Sequence, residues 1–310
     1  MKSLRIGSRG SALALWQANH IRELLHNLHG VESEIVPIKT SGDEFQSAAV
    51  SLIGSKGVFI KEIEDALLAH RVDLAVHSMK DVPTEIPAGL AFPAITKRED
   101  VHDCAVSRDG IKINEFPAGA RVGTGSLRRQ SQLLHRFPSL VCVALRGNVD
   151  TRLRKLDAGQ FDSVILAKAG LDRLGASHRI TEILSAEWML PAAGQGALGI
   201  EARECDEATL QLLAPLNHAE TRACVTAERV LLAGLEGGCQ VPIGAWGRIE
   251  RGELVLDACV LSHDGAEYLR DRAVGSANDP ETLGRGLAHK LIEAGAGHIL
   301  RLAGRQVGNV

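Results

Sequence analysis

The chain alternates short apolar segments with amphipathic helical segments, and this alternation limits its fold more than any other feature. Strands are predicted over 4–7, 34–38 and 73–77, with helices over 11–28 and 59–69 between them. Alternating units of this kind form a mostly parallel sheet whose faces are covered by helices. Ligands of such sheets bind beyond the carboxyl ends of the strands, so the residues directly after each strand are the first candidates for a site.

A second series of the same kind follows the charged stretch 97–103. Its predicted segments are, in order, strand 121–123, a helix from about 126, strand 141–145, helix 149–156 and strand 163–166. The repeated pattern predicts a second sheet of the same type.

The last part of the chain follows another pattern. Residues 191–199 are rich in glycine and lead into an apolar strand at 198–201, which we interpret as a return of the chain to the first domain. The segments predicted beyond it are helix 220–235, a hairpin of strands 245–249 and 254–261 around Arg251-Gly252, and helix 280–294. Their order predicts a small α+β domain.

With 310 residues, of which 45% are apolar, the chain exceeds the size that one hydrophobic core usually serves. We predict an α/β fold with two domains built on mostly parallel, helix-covered sheets and a small C-terminal α+β domain. The predicted divisions are domain 1 (1–98 with the return segment 197–216), domain 2 (99–196) and domain 3 (217–310).

Composition excludes several classes of protein. A net charge of −3 and 3% aromatic residues argue against nucleic-acid binding, which needs a basic surface and rings for base stacking. No stretch reaches the roughly 18 apolar residues of a membrane span and the N-terminus lacks the apolar core of a signal peptide, so we expect a cytoplasmic protein that does not enter membranes. The six cysteines form no Cys-x-x-Cys pair and no zinc-spaced group with histidine, so we expect no metal and no disulfide framework.

Polar residues stand at the predicted strand ends of the first series. Arg9 and Ser11 follow the first strand, and Ser78-Met79-Lys80-Asp81 follows the third. A carboxylate such as Asp81 in this position moves protons or stabilises a cation; the alternative is an aspartate that caps the next turn. His77 is a candidate base for Cys239, although nothing in the sequence shows that the two residues meet.

Arginines stand at the corresponding places of the second series. Thr124-Gly125-Ser126 falls where a helix N-terminus offers N–H groups to an anion, and Arg128 and Arg129 lie in the first turn of that helix. Arg146 directly follows the next strand, with Arg152 further along. These positions predict an anion site; the alternative is a set of solvated helix faces.

Cys239 lies in the run Glu236-Gly237-Gly238-Cys239-Gln240-Val241-Pro242. Glycines before it and a proline after it predict a tight irregular loop, on which a thiol can be exposed and used. The alternative is a small buried hydrophobic residue, the commonest fate of a free cysteine.

Four motifs in order resemble the signatures of the porphobilinogen deaminase family, also called hydroxymethylbilane synthase. These motifs are 77–83 (HSMKDVP), 123–129 (GTGSLRR), 145–149 (LRGNV) and 236–242 (EGGCQVP), and the matches at 8–17 and 191–196 extend the resemblance over nearly the whole chain. The family fold, which the resemblance implies here, has two domains similar to periplasmic binding proteins and a small third domain.

The resemblance also implies the chemistry. Cys239 would hold a covalently attached dipyrromethane cofactor through a thioether. Four porphobilinogen molecules would be joined head to tail on this primer with loss of ammonia, and the growing linear pyrrole chain would be released by hydrolysis as hydroxymethylbilane. Uroporphyrinogen-III synthase would be the pathway neighbour. We expect a monomer, because no long apolar segment or heptad run calls for a dimer.

The resemblance assigns the site residues as follows. Asp81 would be the catalytic carboxylate. The residues that would bind the cofactor are Cys239, Arg128, Arg129, Ser126, Thr124, Lys80, Ser78 and Arg146. The residues that would bind substrate are Arg9, Ser11, Arg146, Arg152, Arg173, Gln195 and Lys56. The chain departs from the family at Gly125, where a serine is common, and at Leu52, where some members have a lysine.

Two other functions fit parts of the sequence. A two-domain protein that binds or senses an anionic solute would also place arginines and helix N-termini around a cleft, but it leaves the Cys239 loop and the third domain without a use. A phosphate-handling transferase would use 124–129 as a cradle, but the chain has no Gly-x-x-x-x-Gly-Lys-Ser/Thr motif.

Overall fold

The structure, a computed structural model, describes residues 3–40, 60–235 and 241–307. The chain divides into two compact units: Met1–Glu99 with Gly196–Arg222, and Asp100–Gln195 with Ala223–Val310. The finer division into three domains stays a prediction.

The first unit is built on one five-stranded sheet. Its strands are β1 (Leu4–Ser8), β2 (Ser33–Pro37), β3 (Leu74–Ser78), β4 (Leu90–Ile95) and β10 (Leu198–Arg203). Their order in the sheet is β2-β1-β3-β10-β4. Strand β10 is antiparallel to both of its neighbours, whereas β1 is parallel to β2 and to β3. The sheet is therefore mostly parallel, as predicted.

Helices cover both faces of this sheet. They are α1 (Ala12–His29), α2 (Lys61–Leu68) and α6 (Glu207–Leu213). Ser11 caps the start of α1 by accepting a hydrogen bond from the Ala14 N–H, and Gly30 ends it with a φ of 63°. The α1 side chains Ile21 and Leu25 pack on one face of the sheet, and Ile63 of α2 packs on the other. Full burial of such a side chain stabilises the fold by about 1.5–3 kcal/mol.

The second unit repeats the arrangement with a second five-stranded sheet. Its strands are β5 (Asp103–Ser107), β6 (Arg121–Thr124), β7 (Val141–Ala144), β8 (Ser163–Ala167) and β9 (Glu182–Ile183), in the order β7-β6-β8-β5-β9. The covering helices are α3 (Leu127–Arg136), α4 (Val149–Asp157) and α5 (Lys168–Arg173). Strand β5 is antiparallel to β8 and β9, and β6 is parallel to β7 and β8. As in the first sheet, one antiparallel strand lies in the fourth place.

A three-stranded antiparallel sheet completes the second unit. Its strands are β11 (Ile243–Glu250), β12 (Glu253–Leu261) and β13 (Tyr268–Gly275), and the helices nearest to it in the sequence are α7 (Ala219–Gly234), α8 (Pro280–Glu293) and α9 (Ala296–Val307). Leu231 of α7 and Leu287 of α8 pack in the core beneath the sheet. The α+β character predicted for this part of the chain is confirmed.

The turn between β12 and β13 docks on helix α3. The His135 Nδ1 atom lies 2.8 Å from the Gly265 carbonyl oxygen, and the His135 ring stacks on Tyr268 with ring centroids 4.4 Å apart. A Cβ at Gly265 would come within 2.5 Å of the Ser131 carbonyl oxygen, so the fit leaves no room for a side chain.

The sequence predictions missed several elements. Strands β4, β5, β9 and β13 and helices α5, α6 and α9 were not predicted, whereas the predicted strand ends at 7, 77 and 123 lie within one residue of the observed ends. Among the described residues, no helix is long and apolar enough to cross a membrane.

Candidate active site

The carboxyl ends of β1 and β3 meet at one edge of the first sheet because these two strands are parallel. Arg9 directly follows β1, and a 3-10 turn, Met79–Asp81, directly follows β3. This edge therefore brings together the polar residues that were predicted at two separate strand ends.

A pocket of about 70 Å³ opens at this edge. The predicted site residues that line it are Arg9, Ser11, Ser78 and Asp81. Gln17 and His77 supply further polar groups, and the apolar walls come from Leu13, Ala14, Ile60, Ile63 and Val76. A guanidinium and a carboxylate thus share one small pocket in the first unit.

The turn that carries Asp81 is held by Met79. The Met79 side chain is buried, and its N–H donates to the Ala197 carbonyl oxygen at 3.0 Å. Asp81 itself is exposed. No helix follows Asp81 before the strand that begins at Leu90.

Gln17 is a pocket residue that the sequence reasoning missed. Its side chain is 3% exposed, and its amide Nε2 donates to the Ser78 Oγ atom at 2.9 Å. The sequence pattern of α1 indicated such a contact, because a glutamine on the buried side of an amphipathic helix needs a polar partner. The bond joins helix α1 to the end of β3.

The second candidate region lies at the corresponding edge of the second sheet. Thr124 ends β6 and is buried, and its Oγ1 accepts a hydrogen bond from the Ser126 N–H at 3.2 Å. Ser126 is the N-cap of α3, and its Oγ accepts from the Arg129 N–H. Both hydroxyls that were predicted to bind an anion therefore already organise the start of this helix.

Arg128 and Arg129 point into the protein and share one carboxylate. The Arg128 Nη1 atom lies 2.6 Å from Oδ2 of Asp103, and the Arg129 Nη2 atom lies 2.7 Å from Oδ1. The exposed fractions are 4% and 5% for the two arginines and 0% for Asp103. Arg128 also donates to the Leu190 carbonyl oxygen at 2.6 Å. The predicted anion ligands form a buried charge cluster with a residue that the sequence reasoning missed.

The electrostatics of this cluster follow from its burial. Burial alone would raise the pKa of Asp103, but the charges and hydrogen bonds of Arg128 and Arg129 outweigh it and hold that pKa well below its usual range. Burial lowers the pKa of Arg128, and the charge of Asp103 opposes this change. Gln195, predicted to bind substrate, is fully buried here and donates to Asp103 Oδ1 at 2.9 Å.

The remaining predicted arginines differ in exposure. Arg146 is exposed just beyond β7, and Arg152 is half-buried with its Nε donating to the Gly147 carbonyl oxygen at 2.8 Å. Arg173 ends helix α5 and is buried. Lys80, in the turn with Asp81, is half-buried.

Gly125, one of the two departures from the family pattern, lies against the backbone of the neighbouring strand end. A Cβ at this position would come within 2.6 Å of the Leu145 carbonyl oxygen. A serine therefore fits here only if the Leu145 backbone moves.

Three residues of the sequence predictions lie outside the described residues: Cys239, Lys56 and Leu52.

Two charged residues that sequence reasoning missed, Asp103 and Glu201, have a similar place in the sequence. Asp103 stands beside the apolar residues of β5, and Glu201 interrupts the apolar strand β10. Glu201 is 1% exposed, and its Oε2 atom lies 3.0 Å from the Nε2 atom of His77. A charged residue beside or within an apolar strand requires a buried partner, which sequence alone does not identify.

Comparison with known proteins gives a consistent result. The family model described as "Porphobilinogen deaminase, dipyromethane cofactor binding domain" matches residues 4–211, and the model "Porphobilinogen deaminase, C-terminal domain" matches residues 222–293. The porphobilinogen deaminase of Thiobacillus denitrificans is 51% identical over 301 residues, which are 97% of this chain and 98% of the relative. That of Trichlorobacter lovleyi is 51% identical over 300 residues, 96% of each chain.

Among solved structures, the methionine-binding protein MetQ is similar to this chain with a TM-score of 0.45 at 12% identity, covering 76% of this chain and 94% of MetQ. An arginine-specific periplasmic binding protein of Salmonella typhimurium has a TM-score of 0.38 at 15% identity, covering 70% and 92%.

Proposed function

The chain belongs to the porphobilinogen deaminase family, and from this membership we propose which of its residues carry out the reaction. The enzyme is a transferase of tetrapyrrole biosynthesis that uses a dipyrromethane cofactor, joins four porphobilinogen molecules with release of ammonia and delivers hydroxymethylbilane. Identity to deaminases over nearly the full length favours this function over the solute-binding alternative.

Asp81 is the catalytic carboxylate in this proposal. The observation that carries it is the pocket of the first unit, in which an exposed carboxylate stands at the carboxyl end of β3 and shares the space with Arg9. Loss of ammonia from porphobilinogen leaves a cation on the substrate. A carboxylate fixed beside that cation stabilises it and then accepts the proton that leaves after coupling.

Cofactor binding is the task of the second region together with Cys239, which supplies the thioether. Two guanidinium groups and one carboxylate leave a single positive charge in the buried cluster of Arg128, Arg129 and Asp103. The Arg128 Nε atom is buried and has no hydrogen-bond partner among the described residues. The net positive charge of the cluster and the Arg128 Nε–H group both suit the binding of a carboxylate of the cofactor. When bound, the cofactor supplies the pyrrole on which the chain is built.

The same proposal assigns the other residues by the family motif positions that they match. The remaining residues that this proposal assigns to cofactor binding are Thr124, Ser126, Lys80, Ser78 and Arg146. The residues that bind acetate and propionate groups of the substrate and the growing chain are Arg9, Ser11, Arg146, Arg152, Arg173, Gln195 and Lys56. Guanidinium groups suit this task because they bind carboxylates in bidentate fashion and stay charged.

We also propose that the enzyme acts as a monomer in the cytoplasm and that uroporphyrinogen-III synthase consumes its product. Large exposed hydrophobic side chains of the described residues are scattered along the chain, for example Leu28, Ile86 and Val274, which supports a monomer. Light scattering at micromolar concentration tests it: a mass of two chains would contradict the proposal.

The first experiment weighs the denatured protein. The purified protein and its Cys205→Ala variant, which loses an exposed cysteine elsewhere, should both carry a mass excess of two linked pyrrole units, and Cys239→Ala should lack it. An excess that persists in Cys239→Ala would move the attachment site to another residue. An unmodified mass in all three, even after incubation with porphobilinogen, would contradict the covalent primer.

The second experiment measures turnover. Asp81→Asn should lower kcat at least about 100-fold, as loss of an electrostatic stabiliser does, while the mass excess remains. Asp81→Glu should keep a small activity. Asp109→Asn, which changes an exposed carboxylate in the second unit, should leave turnover unchanged. Substantial activity in Asp81→Asn would remove Asp81 from this role.

A further inference from the structure

A buried histidine–glutamate pair stands at the wall of the Asp81 pocket. The His77 Nε2 atom lies 3.0 Å from Oε2 of Glu201, and the two side chains are 4% and 1% exposed. The His77 ring also meets Phe92 edge to face, with centroids 6.0 Å apart. His77 lines the pocket together with Asp81, so one end of the pair reaches the space where substrate would bind.

The two side chains lie on neighbouring strands and on the same face of the first sheet. His77 of β3 lies opposite Gly199 of β10, and Glu201 lies opposite Ala75. This face is covered by helix α2 through Ile63 and its apolar neighbours. A buried ion pair is often replaced by apolar residues without loss of stability, so packing gives no reason for polar groups here. Buried titratable groups beside a pocket are typical of functional sites.

The charged groups around His77 come from four directions. Glu201 approaches from β10, Glu64 acts from α2, Arg9 stands beyond β1 and Asp81 lies at the end of the following turn. Helix α1 presents the neutral Gln17. With Glu201 ionised and His77 protonated the pair is neutral, and with His77 neutral it carries one negative charge. The cluster can therefore gain or lose one proton.

Glu64 adds a second titratable group to this cluster. Burial, then the charge of Glu201, raises the pKa of Glu64 to about 7, with His77 acting in the opposite direction and Asp65 adding a smaller increase. Its carboxyl group is thus half-titrated near neutral pH. Glu64 is therefore a second group near His77 that can exchange a proton.

The reaction requires one proton transfer in each addition of a porphobilinogen molecule. A carbon–carbon bond forms between the aminomethyl carbon of porphobilinogen and the free α-carbon of the terminal pyrrole, and the carbon–nitrogen bond breaks to release ammonia. The α-carbon then loses one proton. Asp81 must be ionised again before the next cation forms, so any proton that it accepts has to leave.

We propose that His77, oriented by Glu201, accepts this proton from Asp81, directly or through a water molecule in the pocket. The inference rests on the proposed role of Asp81. With its Nε2–H donated to the Glu201 carboxylate, His77 takes up the proton at Nδ1, and Glu201 stabilises the resulting imidazolium. The proton then leaves with the released ammonia as ammonium, so each addition returns His77 to its starting state. His77 is a catalytic residue in this scheme, and Glu201 is a positioning residue.

The test compares the pH dependence of kcat and KM in the parent, His77→Asn and Glu201→Gln. The matched control is His102→Asn, which breaks a half-exposed histidine–aspartate pair of the second unit, with Nδ1 and Oδ1 2.6 Å apart. We expect kcat to fall about 100-fold in His77→Asn, at the lower end of the range for loss of a general acid–base group. KM should stay within about twofold, one limb of the pH–rate profile should shift or vanish, and the control should keep the parent profile.

A second readout does not depend on turnover. The ¹⁵N NMR signals of the His77 ring should show its proton on Nε2 in the parent, and this preference should weaken in Glu201→Gln because the carboxylate charge beside Nε2 is lost. A His77 ring that carries its proton on Nδ1 in the parent overturns the proposal even if both variants fail to fold. A parent-like pH–rate profile in folded His77→Asn overturns it as well.

The outcomes separate the two proposals. If Asp81→Asn stays active, the proposed function of Asp81 fails, whatever the His77 variants do. If Asp81→Asn is inactive and His77→Asn keeps the parent profile, only the proton-transfer inference fails.

Discussion

Replacement of Asp103 by asparagine tests the buried charge cluster of the second unit. Asp103 accepts hydrogen bonds from Arg128, Arg129 and Gln195 while it is fully buried. Asparagine keeps the shape of the side chain but removes its charge and turns one acceptor oxygen into a donor. Two buried guanidinium groups then lack a counter-charge.

The expected cost is large. Removal of one partner of a buried ion pair typically destabilises a protein by about 3–5 kcal/mol. For a unit of this size, each kcal/mol shifts the melting temperature by about 2–4 °C, so Asp103→Asn should melt roughly 6–20 °C below the parent.

The pH dependence has a definite sign. The pKa of Asp103 is lowered in the folded protein, so its contribution is fully present above the unfolded value of about 3.9 and is lost as the pH falls through the folded value. The stability gap between the parent and Asp103→Asn should therefore be constant from pH 5 to 8 and should narrow below about pH 4.

Urea unfolding followed by the fluorescence of Trp188 and Trp246, both in the second unit, measures the gap. Asp157→Asn is the control, because Asp157 pairs with Arg179 at the surface with 53% of its side chain exposed. Such a pair should contribute less than about 1 kcal/mol. A gap for Asp103→Asn as small as that of the control, or one that widens in acid, would refute the reasoning.

Two further predictions concern packing and thiol chemistry. In Gly199→Ala the new Cβ would stand 2.2 Å from the Met79 Sδ atom and displace the turn that carries Asp81, the proposed catalytic carboxylate. The value of kcat should then fall about tenfold or more while the cofactor mass remains. Gly286→Ala, at an open helical position, should retain full activity and gain up to about 1 kcal/mol, and equal activity in both variants would contradict the first prediction. Burial raises the pKa of the Cys259 thiol to about 11. Iodoacetamide at pH 8 should therefore label the exposed Cys205 well before Cys259, as measured by peptide mass spectrometry. Equal labelling rates would show that the core around Cys259 opens easily.

Sequence patterns located the candidate site because strand ends can be predicted from local residues. The ends of β1 and β3 follow from apolar runs that stop at polar residues, and the parallel arrangement then brings Arg9 and Asp81 to one edge. The sequence also placed Arg128 and Arg129 in the first turn of a helix. It did not predict that both point inward to Asp103, because that contact depends on the pairing of β5 with β8.

The missed strands have a physical explanation. Strand β13, Tyr268–Gly275, carries two arginines and one aspartate, which weakens its apolar alternation. It is an edge strand, and charged side chains are tolerated there because one side of the strand has no neighbour. Strand β5 begins at Asp103, directly after a charged stretch, so its start resembles a loop.

The docking of the β12–β13 turn on α3 makes the C-terminal sheet poorly interchangeable between relatives. His135 and Ser131 of α3 hold the turn at Gly265, and two turns of the same helix separate His135 from Arg128. Gln132, between these contacts, accepts a hydrogen bond from the Leu190 N–H and contacts Cys259 of β12. A chimera that takes its third sheet from a relative should therefore stay stable only if the matching residues of α3 are exchanged with it.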